Sequence, residues 1–313
     1  MNINDFSFLG KRNDCPICSG AVEDSFISVE GFLCVGGFFY SFCPSCDYYF
    51  INPQPNLSSI DHFYNTHGVA PITESVLENS FRDYLQKGRA YEMTDYLSKM
   101  LPYFAVGSRF LDFGCGCGFL LSHNKNRYDC WGVEISRLAQ DFDKKNGLRV
   151  VGRLDDLSSS NFDLITAIDV IEHMPDPCIF LKALKDRLSI GGLLLLRLPV
   201  IDGLLFLRQQ PECWKWVYAP YHLSMFSIKA IERISKKVGL SCRVRGDSTI
   251  HVTKEILLKR ASMITHGAFL SLFKLILAIT YPFVKNLLRR VFVSECIFVE
   301  LSVMDTKKRS HVE

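Results

Sequence analysis

The stretch LDFGCGCGFL, residues 111–120, decides the fold of this 313-residue chain. Three glycines follow an apolar run that reads as a short buried strand. Glycines at the end of a strand leave the backbone open to a ligand, because they carry no side chain and adopt positive φ freely. The loop also contains Cys115 and Cys117, so a metal, a phosphate and another cofactor are its three candidate ligands.

The spacing of the glycines separates two kinds of cofactor loop. A dinucleotide-binding loop requires a third small residue where this chain has Phe119. The pattern that begins at Asp112, Asp-x-Gly-x-Gly-x-Gly, instead resembles motif I of the class I S-adenosylmethionine-dependent methyltransferases. This resemblance implies that S-adenosylmethionine lies over the loop, with the Asp112 carboxylate near its ammonium group. The implied backbone contacts are the three glycines Gly114, Gly116 and Gly118.

The stretch CWGVEIS, residues 130–136, reads as a second buried strand that ends in Glu134. Two carboxylate oxygens suit the two hydroxyl groups of a ribose, which is the role that the resemblance gives to Glu134. Cys115 and Cys117 are then small side chains tolerated inside the loop, and metal binding there is the less favoured alternative.

Three further segments match the same family in the expected order: GLRVVGRLDDL, FDLITAIDVIEHMPDP and LSIGGLLLLRLP. GLSCRVRGD and SECIFVELSVM are the expected sixth and seventh strands. The resemblance places Asp155 or Asp156 near the adenine amine of the cofactor, and Asp169, at the end of the fourth strand, also on the cofactor side. The alternation of strands and helices, taken alone, predicts a doubly wound α/β fold. Together these features predict a Rossmann-like methyltransferase sheet of seven strands.

Two Cys-x-x-Cys turns stand near the amino terminus. Four thiolates in two such turns form a closed tetrahedral Zn²⁺ site, because both sulfurs of each turn reach one ion while backbone N–H groups point at them. The residues between the turns are aromatic and β-branched with interspersed glycines, as in the short strands of a zinc ribbon. A redox pair is the alternative. We predict a structural zinc whose ligands are Cys15, Cys18, Cys43 and Cys46.

The stretch CWKWVYAPYHLSMFS, residues 213–227, places aromatic side chains and His222 just beyond the fifth strand. It resembles the same element in ubiquinone-pathway-type O-methyltransferases and in sugar C-methyltransferases, and the latter also carry an amino-terminal zinc ribbon. In those C-methyltransferases a Glu–His pair begins the element, whereas here Tyr221 precedes His222. This difference disfavours proton abstraction from carbon and favours a hydroxyl group as the methyl acceptor.

His222 is the predicted general base, Glu172 and His173 compete with it for that role, and Tyr221 is a further candidate catalytic residue. Each has a structural alternative: His222 can tie its segment to the core, and the Glu172–His173 pair can form the floor of the cofactor site. Trp214 and Trp216 fit either a wall that stacks on a sugar or ordinary packing. Catalysis should rest mainly on aligning the acceptor with the methyl–sulfur bond, so a base supplies only part of the rate.

Composition favours a cytoplasmic enzyme with no nucleic-acid partner. The amino terminus lacks the basic and apolar runs of a secretory signal, and twelve cysteines suit a reducing compartment. The net charge is only +3, and its excess lies beyond residue 250. There an apolar segment, 261–284, has basic residues on both sides. It is predicted to be an amphipathic helix on the membrane surface, a lid over the acceptor site or a dimer contact.

The sequence therefore predicts a zinc ribbon at 1–68, a helical linker at 69–105 and a methyltransferase domain at 106–313 with a helical insertion at about 251–293. We expect the ribbon and the methyltransferase domain to have separate cores. The expected function is methyl transfer to a small molecule or saccharide, free or linked to a nucleotide or a lipid. An RNA methyltransferase and a non-catalytic zinc scaffold that keeps the cofactor fold are the alternatives. The acceptor and the oligomeric state stay open.

Overall fold

The computed structural model describes residues 3–29, 35–66, 73–87, 104–202, 214, 216–246 and 296–303. In chain order, the strands among them are β1 (Glu23–Ile27), β2 (Phe39–Cys43), β3 (Tyr48–Ile51), β4 (Arg109–Phe113), β5 (Asp129–Val133), β6 (Val150–Val151), β7 (Phe162–Ile168), β8 (Leu188–Pro199), β9 (Ser224–Met225), β10 (Leu240–Gly246) and β11 (Cys296–Val303). The helices are α1 (Leu57–Thr66), α2 (Glu74–Lys87), α3 (Phe119–Asn124), α4 (Arg137–Lys145), α5 (Pro177–Lys185) and α6 (Ile228–Lys237).

The larger of two sheets has seven strands in the order β10-β11-β8-β7-β4-β5-β6. β4 lies parallel to β5 on one side and to β7 on the other, and β8 continues the parallel arrangement beyond β7. β11 returns antiparallel between β8 and β10. The chain thus winds outward from β4 in both directions, and sheets of this kind bind ligands at the carboxyl edge where the winding reverses.

Both faces of this sheet are buried. Successive residues of one strand point to opposite faces, and here they join different hydrophobic clusters. Leu111 and Leu194 pack in one cluster, whereas their neighbours Phe110 and Leu195 pack in another. The predicted doubly wound α/β fold is therefore confirmed.

Helix starts fix the residues at the carboxyl edge of the sheet. Ser136 caps α4 by accepting a hydrogen bond from the backbone N–H of Ala139. Asp176 caps α5, which begins with Pro177, a residue whose fixed φ suits the first helical turn. Ser227 caps α6 in the same way. Each cap ends the segment that follows a strand, so short polar side chains hold these segments in place.

The smaller sheet is antiparallel, with the strand order β1-β2-β3-β9. Its first three strands lie between and after the two Cys-x-x-Cys turns, as the ribbon prediction requires. Its fourth strand, β9, comes from the carboxy-terminal part of the chain. Tyr49 and Phe50 of β3 pair with Met225 and Ser224 of β9. The amino-terminal sheet is thus completed by a strand that follows β8 in sequence.

The expectation of separate cores is wrong. Cys15, Cys43 and Tyr48 of the amino-terminal part belong to the same buried cluster as Leu181 of α5 and Ile231 of α6. A sheet of three short strands has too little apolar surface for a core of its own. It therefore packs against the helices that cover the larger sheet, and the two parts share one core.

Several predictions fall outside the described residues. They include the whole 251–293 insertion and with it the apolar segment 261–284, whose membrane, lid or dimer role stays a prediction. The bounds of the three predicted parts of the chain also stay predictions. Of the helices that are described, none is both long enough and apolar enough to cross a membrane.

Candidate active site

The glycine loop connects β4 to α3 and is left-handed at all three glycines, with φ of 75° at Gly114, 55° at Gly116 and 64° at Gly118. A Cβ atom on Gly114 would lie 2.7 Å from a methyl group of Val170. One on Gly118 would lie 2.6 Å from a carboxylate oxygen of Asp143. A Cβ on Gly116 would meet no described atom within 4 Å. Gly114 and Gly118 are thus required by packing, whereas Gly116 presents its backbone to open space.

Glu134, at the end of β5, is tied to this loop. Its Oε2 accepts a hydrogen bond from Gly116 N at 2.9 Å, and its Oε1 accepts one from Ser136 N at 2.8 Å. Burial raises the pKa of Glu134, and the backbone N–H donors oppose that rise by stabilising the carboxylate. Backbone donors from the glycine loop and from the start of the next segment therefore hold both carboxylate oxygens of Glu134 in place.

Asp112 lies beneath the loop on β4 and is almost completely buried. Thr166 of β7 donates its hydroxyl hydrogen to Asp112 Oδ1 at 2.6 Å. Burial raises the pKa of Asp112 to about 7, while the Thr166 hydrogen bond lowers it and the nearby Glu134 charge raises it. A cationic group bound beside this carboxyl would favour its ionised form.

Glu172, His173 and His222 form a second cluster, in which one ligating atom from each residue lies within 4.8 Å of the others. The two imidazole rings pack edge to face with centroids 4.7 Å apart. His222 Nδ1 lies 2.7 Å from the carbonyl oxygen of Trp216, and His173 Nδ1 lies 2.8 Å from that of Tyr221. A carbonyl oxygen can only accept, so in neutral His222 the Nδ1 carries the proton and the Nε2 is unprotonated.

Burial keeps this cluster uncharged. It lowers the pKa of His222 to about 3, with a smaller contribution from His173, and it lowers the pKa of His173 to about 4. It also raises the pKa of Glu172 well above the ordinary value, as does the charge of Asp169. Both carboxyl oxygens of Glu172 are buried and have no hydrogen-bond partner among the residues the structure describes.

Aromatic residues from the amino-terminal part cover the histidines. The Tyr64 hydroxyl of α1 lies 3.1 Å from His173 Nδ1, and the Tyr40 hydroxyl of β2 donates to the His222 carbonyl oxygen at 2.8 Å. The ring of Tyr221 packs edge to face against those of Phe63 and Tyr64. The second cluster is thus built by both parts of the chain.

Comparison with known proteins identifies the family. A family model described as "Methyltransferase domain" matches residues 85–243, half of the chain. The chain belongs to this family.

Curated relatives match over shorter stretches. A ubiquinone biosynthesis O-methyltransferase of Cereibacter sphaeroides is 33% identical over 123 residues, which cover 36% of this chain and 49% of the relative. A tRNA U34 carboxymethyltransferase of Dichelobacter nodosus is 31% identical over 107 residues, which cover 31% of this chain and 34% of the relative. The chain therefore spans half or less of the length of these relatives. Among solved structures, a SAM-dependent methyltransferase from Archaeoglobus fulgidus matches 70% of this chain and 96% of its own, with 16% identity and a TM-score of 0.45.

The glycine loop and its surroundings fit S-adenosylmethionine. The open backbone at Gly116 leaves room that a side chain would fill, and the carboxylate of Glu134 is held at its edge. Asp112 offers a buried carboxyl in the same place. Cys115 and Cys117 are buried within the glycine loop, and the Cys115 thiol lies 3.7 Å from Asp143 Oδ2.

The other predicted cofactor carboxylates have arginine partners or are exposed. Asp155, exposed in the 3₁₀ turn after β6, lies 3.4 Å from Arg187 Nη2. Asp156 is exposed in the same turn. Asp169, at the end of β7, has a φ of 53° and accepts hydrogen bonds from Arg197 Nη1 at 2.6 and 2.5 Å. Their contacts with the cofactor stay predictions.

The four predicted metal ligands are brought together. One sulfur from each of the four cysteines lies within 4.8 Å of the others, and the Cys18 and Cys43 sulfurs are 3.7 Å apart. A tetrahedral zinc with bonds of about 2.3 Å places its sulfurs about 3.8 Å apart. The backbone N–H groups of Ile17 and Gly20 donate to Cys15 and Cys18 sulfurs, both at 3.4 Å. The donor set and its geometry fit a structural zinc.

Sequence reasoning missed three side chains that position these groups: Thr166, Arg197 and Tyr64. Thr166 and Arg197 each interrupt an apolar strand, LITAI and LLLLRLP, and a polar residue inside a buried strand is a signal that could have found them. Nothing in the local sequence around Tyr64 indicates that α1 reaches His173.

Proposed function

We propose that this chain transfers a methyl group from S-adenosylmethionine to a hydroxyl group of a polar small molecule, with saccharides as the favoured class. The observation that carries the proposal is the pairing of two clusters at one sheet edge. One is an open glycine turn with a fixed carboxylate, and the other is a pair of neutral histidines enclosed by aromatic rings. S-adenosylmethionine, when bound, supplies an electrophilic methyl group on a sulfonium.

On the cofactor side, the roles follow from position. Gly116 allows the ligand to contact the backbone. Glu134 accepts hydrogen bonds from the ribose hydroxyls through lone pairs that are not used by Gly116 N and Ser136 N. Asp112 binds the ammonium group, which converts its carboxyl group to the ionised form. These residues bind and orient; they do not take part in bond making.

On the acceptor side, His222 takes the hydroxyl proton at Nε2 as the methyl group moves. The Trp216 carbonyl holds the ring in the tautomer that this role requires. Because the pKa of His222 is only about 3, the ring is neutral throughout the physiological range but is a weak base. Alignment of the acceptor therefore supplies most of the rate, and proton transfer supplies the rest.

The chemistry of the acceptor is inferred from three supports. Tyr221 is not a carboxylate, so no acid–base pair for carbon acidity precedes His222. Aromatic faces such as those of Tyr64 and Trp216 suit the apolar faces of a sugar ring. The relatives include proteins named O-methyltransferases, in agreement with a hydroxyl acceptor.

The test is transfer of a labelled methyl group from S-adenosylmethionine to a panel of acceptors: free sugars, nucleotide-linked sugars, phenols and bulk tRNA. Label recovered in a sugar as a methyl ether, which resists alkaline hydrolysis, supports the proposal. The same assay with Glu134→Ala should lose the signal at low cofactor concentration. Label confined to tRNA would instead establish the RNA alternative, which the tRNA-modifying relative keeps in the panel. Failure to bind S-adenosylhomocysteine at all would favour the non-catalytic scaffold.

A further inference from the structure

One face of α6 carries three basic residues that recur every four positions: Lys229, Arg233 and Lys237. Residues four apart lie on the same side of a helix. We call this face the basic stripe. Arg233 and Lys237 contact the two cysteine turns, and Lys229 contacts the residue that follows the second turn.

Each contact of the basic stripe is specific. Lys229 Nζ lies 3.1 Å from Asp47 Oδ2, directly after the second turn. Arg233 Nη1 donates to the sulfur of Cys46 at 3.5 Å. Lys237 Nζ donates to the carbonyl oxygens of Pro16 at 3.1 Å and Ile17 at 2.8 Å, inside the first turn. One helix thus grips both halves of the cysteine site.

The charge of the site explains why such a stripe is needed. Four thiolates around one Zn²⁺ carry a net charge of about −2. Cys15, Cys43 and Cys46 are buried in the shared core, where an unpaired charge is costly. The N–H groups of Ile17 and Gly20 offset part of that charge, and a guanidinium at the Cys46 sulfur offsets more.

The same helix leads to the acceptor side. Ser227, which caps α6, donates its hydroxyl hydrogen to the carbonyl oxygen of Cys46 at 2.8 Å. Ser224 of β9 shares a hydrogen bond of 2.6 Å with Tyr48 of β3. The chain between His222 and α6 is therefore held against the segment that follows Cys46.

We propose that Lys229, Arg233 and Lys237 are outer-sphere partners of the metal-loaded cysteine site, so that α6 sets the zinc affinity of the ribbon. This role does not depend on the methyl acceptor or on methyl transfer. Zinc binding then favours docking of the ribbon on α6, and docking in turn strengthens zinc binding.

The test is zinc affinity of the full chain, measured by competition with a chromophoric chelator. Arg233→Met keeps an unbranched apolar stem close to the backbone and removes the guanidinium and its charge. We expect it to weaken zinc binding about 10-fold or more, the usual effect of removing a group that hydrogen-bonds to a metal ligand. Lys236→Met is the matched control, since Lys236 is an exposed cation on the same helix that makes none of the contacts described above. It should change the affinity less than about 2-fold, and Arg233→Lys should recover part of the loss because it restores the charge.

Raising the salt concentration should narrow the difference between Arg233→Met and the unmodified chain, since exposed charges are screened. Binding of S-adenosylhomocysteine, which is expected at the glycine loop and Glu134, away from the cysteine site, reports that each variant is folded. If Arg233→Met does not fold, the double variant Lys229→Met/Lys237→Met is measured in the same way against Lys236→Met. The proposal is overturned if Arg233→Met, or the double variant measured in its place, binds zinc as tightly as the Lys236→Met control.

Discussion

The cofactor side and the acceptor side of this protein are assembled in opposite ways. Glu134 is held by Gly116 and Ser136, which lie 18 and 2 residues away in sequence. His222 is held by Tyr40 across 182 residues, and His173 contacts Tyr64 across 109. The cofactor side is thus a local structure of one strand–loop–strand unit, whereas the acceptor side requires the amino-terminal part to dock. Perturbing the ribbon should therefore damage the acceptor side more than the cofactor side.

Loss of a metal ligand should have the largest effect and tests how far the two sides depend on one core. We expect Cys43→Ser to lose zinc and to lower the free energy of unfolding by several kcal/mol, because a structural metal contributes directly to folding. Since the core is shared, unfolding should remain a single transition at lower denaturant concentration. Cys242→Ser, in β10 away from the metal ligands, is the control. A separate early transition of the ribbon, with the rest unchanged, would show that the cores are independent after all.

Removing His222 should separate the two sides functionally. His222→Ala is expected to lower turnover by about 100-fold or more through loss of the proton acceptor, with the affinity for S-adenosylhomocysteine unchanged. Steady-state kinetics on the acceptor found in the panel, together with calorimetry, measure the two quantities. His123→Ala, at an exposed position on α3, should be neutral in both. A variant that keeps full turnover would move the role to His173 or show that no base is used.

The matching test on the cofactor side removes Glu134. Glu134→Ala should weaken binding of S-adenosylhomocysteine by about 2 kcal/mol, roughly 30-fold, because charge-assisted hydrogen bonds to the ribose are lost. Asp129→Ala, at the amino end of the same strand, should leave the affinity within about 2-fold. Calorimetry decides between the two, and an unchanged affinity in Glu134→Ala would remove Glu134 from the cofactor site.

The smallest effect concerns the protonation of the acceptor side. His222 should stay neutral as the pH falls from 8 to 5, because burial lowers its pKa from the ordinary 6.5 to about 3. The charged ring is destabilised only in the folded chain, so the stabilisation that depends on a neutral His222 is present above pH 6.5 and is lost as the pH falls toward 3. Ring ¹⁵N chemical shifts, assigned with His222→Asn, measure this directly. A titration midpoint near 6.5 would instead place the ring of His222 in contact with solvent, and the acceptor side would then not be closed to water.

Much of the cofactor side could be predicted because its determinants are local. Positive φ at three nearby positions admits few residues other than glycine, and a carboxylate at the end of the next strand must meet that loop when the two strands are parallel neighbours. The paired cysteines were predicted for the same reason, since a Cys-x-x-Cys turn fixes two ligands within one turn of chain. Even here Thr166, the partner of Asp112, escaped notice, because it comes from a strand 54 residues away.

The sequence by itself determined the strand–loop–strand unit, the seven strands of the larger sheet as they follow one another along the chain, and the four metal ligands. Only the tertiary structure decided that the ribbon shares its core with the methyltransferase domain, that β9 completes the amino-terminal sheet, and that Tyr40 and Tyr64 reach the histidines. The physical reason is that backbone conformation and ligand spacing are set by residues near one another in the chain. Which apolar surfaces bury each other depends instead on the free energy of the whole packed molecule, and a basic stripe such as that of α6 reads as an ordinary solvated face until its partner is known.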